Sequence, residues 1–92
     1  MNKKVFLIIY MPGFESELLI ARIKSLGPSY NFWGNHWFVH TSSTSKEVYE
    51  KIVGEDFVST SILVVEMSSE AFSYYGRMNT ALWDWMKKIE GR

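Results

Sequence analysis

The chain contains two short, almost continuous runs of apolar residues. VFLIIY at 5–10 is rich in β-branched and aromatic residues, and SILVVEM at 61–67 is apolar almost throughout, which is typical of buried strands. Pro12-Gly13 follows the first run and marks a turn. Between the two runs the apolar residues recur at other spacings, so we expect further elements there.

Three other segments have the 3.6-residue period of amphipathic helices. The first ends at Gly27-Pro28, and the second is opened by the capping box Thr44-x-x-Glu47. The third begins with Asn79 as its N-cap. The three apolar faces consist of Leu19, Ile23 and Leu26, of Val48 and Ile52, and of Leu82, Trp85, Met86 and Ile89.

The stretch FWGNHWFVH at 32–40 predicts a β-hairpin with Gly34-Asn35 as its two-residue turn. Such a turn sets Trp33 opposite His36, and side chains then alternate between the two faces. The predicted core face consists of Tyr30, Phe32, Trp37 and Val39. The opposite, mixed face consists of Asn31, Trp33, His36, Phe38 and His40.

The order of elements is therefore β-α-β-β-α-β, followed by a terminal helix. This order predicts an α+β, ferredoxin-like fold: a four-stranded antiparallel sheet with two helices on one face, plus a C-terminal helix. We expect a single domain over residues 1–92, since no linker interrupts the pattern. Whether the terminal helix or the aromatic loop at 68–78 covers the second sheet face is left open.

Composition narrows the functional classes. Lys plus Arg number 10 and so do Asp plus Glu, whereas proteins that bind phosphate backbones are usually basic. The chain contains no cysteine, which excludes disulfides and thiolate zinc sites. No apolar run reaches the roughly 18 residues of a membrane span, and no cleavage site follows the N-terminal run. We predict a cytoplasmic protein without a membrane partner.

The mixed hairpin face has three candidate roles. On a strand, His36 and His40 would lie roughly 13 Å apart, too far to share a zinc ion, so we predict no metal and no cofactor. The face is instead a platform on which nucleic-acid bases stack, or an interface with a second protein subunit. The residues we expect in either role are Tyr10, Trp33, His36, Phe38 and His40. Tyr10 belongs to this set only if its side of the first strand faces the same way.

Four stretches together resemble a known family. VFLIIYM, NHWFVHT, SILVVEM and ALWDWMKK stand where the small CRISPR adaptation subunit, the second Cas protein, and its SinR-family relatives have characteristic segments. The similarity covers nearly the whole chain and depends on the order and spacing of short motifs. It implies a ferredoxin-like homodimer that acts in binding or assembly, with RNA or DNA as a further partner. The basic residues expected at nucleic acid are Lys3, Lys4, Arg22 and Lys24.

The same resemblance argues against metal-dependent nuclease activity. Family members with that activity hold a divalent metal through an acidic residue just after the first strand, and Met11 stands at that position here. A thioether is not a ligand for magnesium. We therefore expect a binding or assembly protein rather than an enzyme. One alternative is a residual endoribonuclease that uses His36 or Glu66, and another is a protein-interaction module without a nucleic-acid role.

Overall fold

The computed structural model describes residues 4–14, 16–67, 84, 85, 87 and 88. The elements are β1 (Lys4–Tyr10), α1 (Glu17–Ser25), β2 (Ser29–Trp33), β3 (His36–Thr41), α2 (Ser45–Val53) and β4 (Ile62–Met67). This order confirms the predicted β-α-β-β-α-β arrangement, and the four strands form one antiparallel sheet in the order β2-β3-β1-β4. Among the described helices none is long and apolar enough to cross a membrane.

The predicted C-terminal part of the chain is described only at a few positions. The loop at 68–78 and most of the predicted terminal helix lie outside the described residues. Within that helix, Asp84, Trp85, Lys87 and Lys88 are described, and all four have helical backbone. Trp85 is the residue of this segment that bears on the site below.

Side-chain caps define the starts of α1 and α2. The Ser16 hydroxyl accepts a hydrogen bond from the Leu19 N–H at 3.2 Å and so caps α1. At α2, the Thr44 N–H donates to the Glu47 carboxylate at 2.8 Å, and the Glu47 N–H donates to the Thr44 hydroxyl at 3.1 Å. These bonds satisfy N–H groups that have no partner within the helix, which confirms the predicted capping box.

Both helices pack against the same face of the sheet and form the main core. Its members are Phe6, Ile8, Tyr10, Leu19, Ile23, Trp37, Val39, Val48, Ile52, Val53 and Phe57. The helical members include Leu19 and Ile23 from the predicted stripe of α1 and the whole predicted stripe of α2, while Leu26 is partly buried beside the core. The β3 members Trp37 and Val39 are on the face predicted for them. Burying each large apolar side chain contributes about 1.5–3 kcal/mol, so this core supplies most of the favourable free energy of folding.

The hairpin between β2 and β3 contains a bulge that the sequence did not predict. The observed pairs are Trp33 with His36, Asn31 with Trp37, Tyr30 with Phe38, and Ser29 with Val39. Phe32 is the extra residue, and the Asn31 side-chain amide donates to the backbone carbonyls of Trp33 and His36 beside it. The prediction that Tyr30 and Phe32 lie in the helix-packed core was therefore wrong. One inserted residue moves the preceding side chains to the opposite face, and Asn31 moves the other way.

Candidate binding face

The sheet face opposite the helices, here called the open face, carries a second apolar cluster. Val5 and Phe38 are its buried members, and the side chains packed against them are Leu7, Tyr30, Phe32, Met67 and Trp85. The strand register adds Ile9, Trp33, His36, His40, Leu63 and Val65 to this face. No described strand residue on the open face is an aspartate, glutamate, lysine or arginine. The face is therefore apolar and aromatic, with two imidazoles.

Trp85 covers the middle of the open face. Its ring lies nearly parallel to that of Phe38, with centroids 6.1 Å apart and planes at 15°, and its centroid is 6.2 Å from that of Tyr30. The Phe32 ring also stacks on Phe38, with centroids 4.7 Å apart. Phe38 is consequently only 8% exposed. The sequence left open whether the terminal helix or the loop at 68–78 covers this face. The terminal segment contributes at least the Trp85 ring.

One row of side chains across all four strands stays accessible. The exposed row, as we call it, runs through Trp33, His36, Ile9 and Leu63, which are neighbours in the strand register. Its two ends are the most exposed, since Trp33 is 57% and Leu63 is 56% accessible, while His36 and Ile9 are half-buried between them. Val65, the next open-face residue of β4, is 39% exposed. Accessible apolar side chains grouped in this way are typical of a binding surface.

Asn35 holds His36 in one orientation. The Asn35 Nδ2 donates to the Tyr10 carbonyl at 2.8 Å, so its Oδ1 is the atom that faces the imidazole. That oxygen lies 2.9 Å from His36 Nδ1 and can only accept a hydrogen bond. The proton of the neutral ring is therefore on Nδ1, and Nε2 is a hydrogen-bond acceptor. The Trp33 ring stands perpendicular to the imidazole at 5.3 Å.

Tyr10 anchors the hairpin from the helix-packed face. Its hydroxyl donates to the Gly34 carbonyl at 2.8 Å and accepts from the Trp37 indole N–H at 3.1 Å, and the side chain is 4% exposed. Tyr10 therefore does not belong to the predicted stacking set, which needed this side of β1 to face outward. The open-face residues of β1 are the aliphatic Val5, Leu7 and Ile9.

Arg22 joins the two helices. Its Nη1 donates to the carbonyls of Ile52 at 3.2 Å and Val53 at 3.1 Å, at the end of α2, and its Nη2 pairs with the Asp56 carboxylate. The guanidinium carbon also lies 5.4 Å from the centre of the Phe57 ring. These contacts give Arg22 a structural role on the helix side of the molecule.

The other predicted basic and catalytic residues are not gathered at the exposed row. Lys3 lies outside the described residues, and Lys24 is exposed on α1. Lys4 is 3.6 Å from the Glu66 carboxylate, on the helix-packed face of the sheet. Glu66 pairs in register with Phe6, so the structure places His36 and Glu66 on opposite faces rather than in one site.

A metal centre finds no support among the described residues. They contain no group of three or more histidine, cysteine, aspartate or glutamate side chains that could hold an ion. Met11, at the position where the resemblance implied a metal ligand, is 55% exposed just after β1. Its thioether has the wrong chemistry for magnesium whatever surrounds it.

Comparison of the chain with protein-family models, with curated proteins and with solved structures gives no match. The geometry of the open face is therefore the basis on which we infer a function. Two residues that shape this face were not among those predicted from the sequence. Leu63 was hidden because SILVVEM is apolar almost throughout, and Asn35 was assigned only to the turn.

Proposed function

We propose that this protein is a self-associating binding module, a homodimer in which the open face packs against a second copy of the chain. The exposed row carries this proposal, because it leaves Trp33 and Leu63 more than half accessible on a face without charged strand residues. Such a face loses little solvation when it is buried, unlike a charged one. The chain's formal net charge of +0 also creates no overall repulsion between two copies.

The resemblance to homodimeric adaptation subunits and SinR-family proteins supports the same kind of assembly. The resemblance also motivates the second half of the proposal, which is that the protein lacks metal-dependent nuclease activity. Met11 stands where such an activity needs a carboxylate, and His36 and Glu66 are separated by the sheet. Binding and assembly therefore fit the described residues better than catalysis.

Nucleic acid is the second candidate partner, and the exposure of Trp33 is the observation in its favour. Aromatic rings accessible to this degree stack on unpaired bases. However, phosphate contacts normally supply most of the affinity. Two of the basic residues expected there are engaged elsewhere, Lys4 by Glu66 and Arg22 by the end of α2. A titration of tryptophan fluorescence with single-stranded RNA and with duplex DNA tests this alternative. Salt-sensitive quenching that a Trp33→Phe change removes would support it.

A charge placed in the exposed row tests the dimer directly. Leu63→Glu puts a carboxylate at one end of the row, and Val58→Glu is the matched control, since Val58 is also an exposed aliphatic residue but lies in the loop after α2. We expect Leu63→Glu to weaken self-association more than about 30-fold, because losing a buried leucine costs about 2 kcal/mol and the new charge must also be desolvated. Val58→Glu should leave it unchanged. Light scattering after gel filtration reads out both. Equal behaviour of the two variants would contradict the proposed surface.

A further inference from the structure

His36 is the one ionisable side chain in the exposed row, and it lies between Ile9 of β1 and Trp33 of β2. The proposed dimer buries this row, so it also buries the imidazole. We propose that protonation of His36 separates the two copies, which makes self-association sensitive to mildly acidic pH. This inference rests on the proposed function and adds to it a means of regulation.

The hydrogen bonding around His36 determines where the second proton goes. Nδ1 already donates to Asn35 Oδ1, and the Asn35 amide is fixed in turn by the Tyr10 carbonyl. The incoming proton must therefore bind Nε2, for which the structure gives no hydrogen-bond partner among the described residues. The ring contacts recorded for the imidazole are with Trp33 and Phe32. Protonation thus creates a charge and an additional donor on an apolar surface.

The open-face strand residues around His36 include no carboxylate that could neutralise that charge. The open-face neighbours on β1, β2 and β4 are Leu7, Ile9, Tyr30, Phe32, Trp33, Leu63 and Val65. On β3 itself, the next titratable group on this face is His40, beyond Phe38. In the C-terminal segment Trp85 stacks on Phe38, and the described charged residues beside it are the exposed Asp84, Lys87 and Lys88. Lys4 and Glu66 pair with each other on the opposite face.

Burial of an imidazolium without a counter-ion is costly, so the dimer favours the neutral ring. Each ring that must give up a proton before the copies associate weakens association by up to about tenfold per pH unit. A symmetric dimer buries one such ring from each copy. If only neutral rings are admitted, the dimer dissociation constant rises by up to about 100-fold for each pH unit over which both rings are protonated in the separate copies.

Sedimentation equilibrium of the full chain at pH 7.5, 6.5 and 5.5 tests this inference, with far-UV circular dichroism at each pH. The variants are His36→Gln, which cannot titrate, and His40→Gln, which removes the chain's other imidazole. We expect the wild type to lose affinity about tenfold or more between pH 7.5 and pH 5.5, His36→Gln to lose little, and His40→Gln to keep the wild-type pH dependence.

The outcomes distinguish a failure of the proposed His36 role from a failure of the proposed dimer. A wild type that is dimeric at pH 7.5 and equally dimeric at pH 5.5 overturns the role of His36 and leaves the dimer standing. A loss of association or of circular dichroism signal shared equally by the wild type and His36→Gln also overturns it, since another group is then responsible. A wild type that is monomeric at every pH overturns the proposed function itself.

Discussion

Replacing Arg22 by alanine should destabilise the fold, although Arg22 was first a candidate for binding nucleic acid. The guanidinium donates to two carbonyls at the end of α2, pairs with Asp56 and lies over the Phe57 ring. The last carbonyls of a helix have no partner within the helix, and a positive charge there also interacts favourably with the helix dipole. Arg22 therefore ties α1 to the end of α2.

The magnitude follows from these contacts. Hydrogen bonds to a charged donor contribute roughly 1.5–3 kcal/mol when buried, but this side chain is 25% exposed, so the two carbonyl bonds together contribute about 1–2 kcal/mol. The ion pair to the half-exposed Asp56 adds about 0.5 kcal/mol and the contact with Phe57 about 0.5 kcal/mol. Arg22→Ala should cost about 2–3 kcal/mol, and Arg22→Lys about half of that, because lysine keeps the charge but not the planar fork.

Urea unfolding followed by circular dichroism measures this change in the free energy of unfolding. The control is Lys24→Ala, a loss of one exposed basic residue from the same helix, which should stay within about 0.5 kcal/mol of the wild type. In a domain of this size, about 2 kcal/mol corresponds to a fall in Tm of about 8–16 °C. If Arg22→Ala and Lys24→Ala are equally stable, the contacts at the end of α2 contribute nothing and the reasoning is refuted.

Two further predictions concern the open face and the hairpin. Trp85→Ala should cost about 2 kcal/mol and increase binding of a hydrophobic dye, because Phe38 and Tyr30 lose the ring that covers them; unchanged dye binding would contradict the stacking seen here. Asn35→Ala should lower the free energy of unfolding by about 1–2 kcal/mol, because its hydrogen bonds are lost. The His36 proton should then no longer be held on Nδ1, and long-range ¹H–¹⁵N NMR of the imidazole should detect less of the Nδ1–H form. An unaltered tautomer in that variant would show that Asn35 does not orient the ring.

The elements were predictable because each has a local cause. The capping box at Thr44 and the helical spacing of Val48 and Ile52 depend only on residues within one turn or two. The face of β1 was not predictable, since VFLIIY is apolar at every position and gives no alternation that would separate Tyr10 from Ile9. Its direction is decided by the register with β3 and β4.

The site was predicted only in part, for reasons of the same kind. Trp33 and His36 were correctly placed on one face, because the Gly34-Asn35 turn fixes the pair next to it. Phe32 was placed wrongly, since the bulge depends on hydrogen bonds from Asn31 that no pattern of apolar residues encodes. The partners of Arg22 lie 30 residues or more along the chain, at the far end of another helix.

Cross-linking at a single introduced cysteine tests most directly whether the open face meets a second copy. The natural chain has no cysteine, so Leu63→Cys and Val58→Cys each carry one thiol, the first in the exposed row and the second outside it. In a dimer that pairs the two rows around a twofold axis, the two Leu63 side chains are separated along the row by at most roughly 14 Å, which is the width of four strands. A bismaleimide with a spacer of about 15 Å should therefore link Leu63→Cys into dimers at low protein concentration and leave Val58→Cys monomeric. Linkage that is equal in the two variants, or absent from both, would contradict the proposed assembly.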